Sequence, residues 1–121
     1  MVICGIGNNG GDGLAIARLQ MENFKSVRVL VLESSKNYAD NFKINLKRLQ
    51  DENCNIQFVE SAKDIYLRED ELVVDAILGT GTSRPVDGFL AECIEVVNQQ
   101  AAYKIAIDLP SGMNSLQPTL G

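Results

Sequence analysis

Short runs of β-branched and other apolar residues recur along the chain, and amphipathic helical periods fill the gaps between them. Strands are read at Val2–Ile6, Val27–Leu32, Ile56–Val59, Leu72–Leu78 and Lys104–Leu109. Helices are read at Asp12–Phe24, Ala39–Glu52 and Phe89–Asn98. In the first, Leu14, Ala17, Met21 and Phe24 share a face; in the second, Phe42, Leu46 and Leu49 turn inward; in the third, Phe89, Cys93, Ile94 and Val97 do so. Strands without polar alternation, joined by helices, predict a parallel sheet covered on both faces. With right-handed crossovers the expected order is 3-2-1-4-5, a Rossmann-like three-layer αβα sandwich. At 121 residues the chain is one domain by default, and small for a complete enzyme of this class. It starts at a strand and stops soon after another, so an incomplete domain spanning 1–121 is expected.

The composition removes several functions. A net charge of −5 suits no nucleic-acid partner, because phosphate neutralisation needs a basic face. No apolar run approaches the ~20 residues of a membrane span, and no basic leader precedes the first strand. Cys4, Cys54 and Cys93 are scattered and odd in number, which predicts small apolar filler in a reducing cytoplasm rather than a disulfide framework. Histidine is absent, so a Ser-His-Asp triad is excluded and acid–base work falls to Asp, Glu, Lys, Tyr or Cys.

Three unusual segments each follow an apolar strand. They are Gly5–Gly13 (GIGNNGGDG), Gly79–Pro85 (GTGTSRP) and Asp108–Gly112 (DLPSG). In a parallel sheet all three lie on the carboxyl edge, where open α/β sheets bind ligands at the reversal of strand order. The first holds a G-x-G-x-x-G at Gly5, Gly7 and Gly10, with Glu33 near the spacing of a ribose-binding acid. A tight glycine turn is the lesser alternative. Asp12 at the helix entrance would repel a phosphate, so capping the helix or binding a sugar hydroxyl suits it better. Asn8 and Asn9 add amide oxygens.

Asp75 lies inside the apolar run Val73–Ile77, where an unpaired carboxylate costs several kcal/mol. Loop amides would offset that, and so would a cation. Asn9 and Ser111 can supply neutral oxygens at the same edge, a donor set for an alkali or alkaline-earth ion. Thr80, Gly81, Thr82, Ser83 and Arg84 could hold a diphosphate or form a solvated turn. Asp108 is a turn residue or a general acid/base projecting into the crevice.

Together, Gly7–Gly13, Val74–Gly81 and Ile107–Gly112 resemble the three signature segments of the YjeF N-terminal domain family of NAD(P)HX epimerases. The Asp40–Leu49 helix is similar too. The resemblance implies an isomerase that interconverts the R and S epimers of C6-hydrated NADH and NADPH. It implies that Asn8, Asn9, Gly10, Gly11 and Asp12, with Gly79, Thr80, Gly81, Thr82, Ser83, Arg84, Pro85 and Asp108, contact the nucleotide. It implies a potassium ion (K+) held by Asn9, Asp75 and Ser111, while Asp108, the acid expected in the cleft of a histidine-free chain, is the candidate for catalysis. A homodimer, a fused or separate NAD(P)HX dehydratase, and a cytoplasmic location without a membrane partner are expected with it. Ile6 stands where the family often has proline. Two other readings remain: the nucleotide-binding half of an NAD-dependent oxidoreductase, resting on the glycines and Glu33, and a non-catalytic binding or dimerisation module.

Overall fold

The computed structural model describes residues 1–23, 26–78, 88–101 and 103–107. In chain order the elements are β1 (Val2–Cys4), α1 (Asn8–Met21), β2 (Arg28–Leu32), α2 (Asp40–Asp51), β3 (Asn55–Val59), β4 (Leu72–Ala76), α3 (Gly88–Gln100) and β5 (Tyr103–Ala106). A 3-10 turn at Ala62–Asp64, which periodicity did not signal, lies between β3 and β4. All strand pairings are parallel and the sheet order is β3-β2-β1-β4-β5, as the crossover rule predicts.

Two apolar layers hold the sheet. On one face Val2, Cys4, Val29, Val31, Val74 and Ala76 pack with Leu14 and Ala17 of α1 and Phe42, Leu46 and Leu49 of α2. On the other, Ile3, Leu30, Leu32, Val73 and Ile77 pack with Cys93 and Val97 of α3 and with Ala62, Ile65 and Leu67. Each large side chain so buried contributes about 1.5–3 kcal/mol. Phe24 lies outside the described residues; the inward residues read for the second and third helices are buried or packed against the core. Cys4 and Cys93 are buried, the filler role expected of them, and burial pushes the Cys4 thiol up. Among the described residues no helix is long and apolar enough to cross a membrane.

Two expectations need correcting. The first helix starts at Asn8, four residues before Asp12, so Asn8–Gly11 form its opening turn. Among the described residues the sheet is also not covered throughout, because all four residues of β5 are exposed.

Candidate functional site at the strand reversal

β1 pairs with both β2 and β4, so chain order reverses at β1. The segments leaving β1, β4 and β5 lock together there. Gly5 donates its N–H to the Ala76 carbonyl (3.1 Å), and Ile107 donates its N–H to the Asp75 carbonyl (2.8 Å). Asn9 Nδ2 donates to the Ile107 carbonyl (3.3 Å). The β2–α2 connection joins them, with the Ala39 N–H bonded to the Ile6 carbonyl (3.0 Å). Of the three expected turns, Gly5–Gly13 thus lies against the ends of β4 and β5. Gly79–Pro85, Asp108 and Ser111 lie outside the described residues; Asp108 directly follows Ile107 in sequence.

Glycine is required here by close approach. A Cβ on Gly10 would sit 1.8 Å from the Gly5 carbonyl oxygen, and one on Gly5 would sit 2.3 Å from the Ile77 carbonyl oxygen. The bare backbone lets α1 begin early and press its first turn onto the strand ends. This is the physical reason the segment is helical where a loop was expected. Gly7 is the N-cap, and no side chain caps the helix.

Asp12 is thus neither the cap nor the entrance. Its Oδ1 accepts from Asn41 Nδ2 on α2 (3.2 Å), and the same amide donates to the Asn8 carbonyl (3.0 Å). Asn45 Nδ2 in turn donates to the backbone carbonyl and to Oδ1 of Asn41, both at 2.9 Å. Sequence reasoning missed Asn41 and Asn45. Their sole signal was polar residues on an otherwise amphipathic helix, and Asn45 is only 7% exposed.

Asn9 is 8% exposed. Its nitrogen is fixed by the Ile107 carbonyl, so its oxygen faces the other way, and Oδ1 is buried without a hydrogen-bond partner among the described residues. An orphaned buried acceptor costs about 1–3 kcal/mol. A hard neutral oxygen of this kind fits an alkali cation. Asp75 is better satisfied: Oδ1 accepts from the Ile77 N–H (3.0 Å) and Oδ2 lies 3.8 Å from Lys104 Nζ on β5. The loop-amide reading covers one oxygen, and Lys104, which the sequence did not single out, faces the other. Asn9 and Asp75 meet through one residue, since both bond to the Ile107 backbone.

Glu33, the ribose-acid candidate, is buried at the end of β2 and accepts from Lys36 Nζ and the Tyr38 hydroxyl. Those partners, Lys36 first, hold its carboxyl below the usual range. Both oxygens already serve partners within the chain, which weakens the Glu33 part of the oxidoreductase reading.

Residues 1–119 match the model of the family described as YjeF-related protein N-terminus. The chain belongs to this family. Curated relatives of the YjeF-related chain include a protein named NAD(P)H-hydrate epimerase from Rhodopirellula baltica, 36% identical over 115 residues, covering 94% of this chain and 47% of that protein. One of the same name from Limosilactobacillus fermentum is 39% identical over 116 residues, covering 95% and 53%. A protein named bifunctional NAD(P)H-hydrate repair enzyme Nnr, from Thermofilum pendens, is 34% identical over 117 residues, covering 93% and 22%. The chain spans about half the length of the curated epimerases it matches.

Proposed function

We propose that the chain carries the epimerase chemistry of NAD(P)HX repair at the carboxyl edge of β1, β4 and β5. The observation that carries the reading is the buried Oδ1 of Asn9, without a hydrogen-bond partner among the described residues, set where three strand ends meet in a chain of this family. A structural asparagine would have both ends satisfied; among the described residues this one keeps an acceptor open.

The nucleotide is held by Asn8, Asn9, Gly10, Gly11 and Asp12 and by Gly79–Pro85. Asn9, with Asp75 and Ser111, would hold K+, which would supply a fixed positive charge that orders the strand-end segments. In the substrate a hydroxyl sits on C6 beside the ring nitrogen. Asp108 protonates that hydroxyl as its C–O bond breaks, so water leaves and the ring nitrogen takes up the positive charge as an iminium. The Asp108 carboxylate then accepts a proton as water adds to the opposite face. Bonds and protons balance over the cycle, and no oxidant is needed.

The same reading takes NADHX or NADPHX as partner, a homodimer as the working form, a cytoplasmic setting, and a dehydratase that consumes one epimer, either separate or fused as the name of the Thermofilum pendens relative suggests.

The test is the exchange of R and S signals of NADHX by NMR, in potassium and in tetramethylammonium buffers. The wild-type chain is expected to accelerate exchange, more so in potassium. Asp108→Asn is expected to lower the rate by about 10²-fold or more without changing the melting temperature. Full activity in the variant removes Asp108 from its role, and no exchange by wild type removes the function.

A further inference from the structure

Resting on the epimerase reading, we propose that Asn41, buttressed by Asn45, is a positioning residue that sets the Asp12 carboxylate as an acceptor for the bound nucleotide. Asn41 uses both ends of its amide. Its nitrogen donates to the Asn8 carbonyl and to Asp12 Oδ1, and its oxygen accepts from Asn45 Nδ2. Asn45 also donates to the Asn41 backbone carbonyl, which pins the side chain of one to the backbone of the other. The relay therefore has one direction, Asn45 to Asn41 to Asp12, and it ends on a charge.

A carboxylate offers about four acceptor directions, and the Asn41 amide takes one of them. The remainder suit a hydroxyl of a ribose or of the hydrated ring.

Packing alone does not call for this relay. α1 and α2 already share an apolar layer through Leu14, Ala17, Phe42 and Leu46. Burying polar groups between them adds desolvation cost, and what such a network provides is orientation. Gly11 shows how close the approach is: a Cβ there would lie 2.6 Å from Asn41 Nδ2 and 2.9 Å from the Asn41 backbone carbonyl carbon. The turn that Asn41 clamps also carries Asn9 Oδ1, buried and without a partner among the described residues, an independent sign that this turn faces a ligand.

The decisive experiment exchanges the two groups. Asn41→Asp removes the donor and places a second carboxylate against Asp12. The pair Asp12→Asn with Asn41→Asp restores a donor–acceptor contact but moves the charge to α2. Epimer exchange of NADHX gives KM and kcat, and thermal melting reports the fold. Asn41→Asp is expected to raise KM at least about tenfold with kcat within about threefold, and to lower the melting temperature. The double exchange is expected to recover the melting temperature and leave KM raised. Recovery of KM together with the melting temperature would make the relay purely structural and overturn the proposal, as would an unchanged KM in Asn41→Asp. A wild-type chain with no epimerisation overturns the epimerase reading itself, a failure distinct from either.

Discussion

Val74 and Ile105 are partners in register on adjacent strands, yet Val74 is 8% exposed and Ile105 56%. Leu72 and Tyr103 continue the contrast outward, at 47% and 62%. The half of the sheet built from β1 and β2 lies under α1 and α2, and its strands are nearly dry. The β5 edge has similar side chains without that cover. Burial here follows the position of the helices rather than residue type, and the candidate site sits on the boundary, where α1 reaches across to Ile107. The packed half supplies rigid backbone, and the open half supplies the strand end on which the site closes.

The strongest way to break this comparison is to spoil the packed half at its tightest point. Gly10→Ala would drive a methyl group into the Gly5 carbonyl at 1.8 Å with no side chain to yield. Overpacking costs about 1–3 kcal/mol and more where backbone must move, so loss of cooperative melting or of soluble folded protein is expected. A melting curve like that of wild type would mean the first turn of α1 does not rest on β1. Next comes a matched pair. Phe42→Ala, at a fully buried position, is expected to cost about 3–5 kcal/mol in denaturant unfolding. Ile105→Ala, on the exposed edge, is expected to stay within about 0.5 kcal/mol. Similar losses at both would erase the distinction between the halves.

A smaller effect sharpens it. Glu33 is held below its ordinary range by Lys36 and then Tyr38. A carboxyl depressed in the fold adds stability above its unfolded pKa, and that stability drains away as pH falls through the folded value. Tyr38→Phe removes one donor and keeps the ring against Phe42, where the centroids are 5.0 Å apart. The variant is expected to melt below wild type at pH 7, with the gap shrinking below about pH 4. At the alkaline end the sign reverses. The Tyr38 phenol is pushed up to about 12, first by burial and then by Glu33, so its contribution is present near neutrality and lost as pH rises through that value. A gap constant across the acid range would contradict the Glu33 account.

Much of this was legible in the sequence, and what was not has identifiable causes. Strand order follows from parallel crossovers, a rule of handedness that needs no side-chain detail. That the segments leaving β1, β4 and β5 start from one carboxyl edge follows from the same rule. The start of α1 at Asn8 was hidden because glycine-rich segments read as loops; only the contact of Gly10 with the Gly5 carbonyl reveals why a helix tolerates them. Asn41 and Asn45 were hidden because a polar residue on an amphipathic helix is ordinarily solvated, and the partners of Asn41 on α1 stand about thirty residues away in sequence. Lys104 facing Asp75 depends on the pairing of β4 with β5, and the exposure of β5 depends on helix placement; neither is written in local periodicity.

The most direct test of where the site lies is a residue-resolved NMR titration of the ¹⁵N-labelled chain with NADHX. The amide signals of Gly7–Asp12, Asn41 and Ile107, at the carboxyl edge, are expected to shift, while those of Val27, Glu71 and Leu72 at the amino edge stay in place. Shifts confined to the amino edge would put the ligand at the wrong end of the sheet and contradict the account.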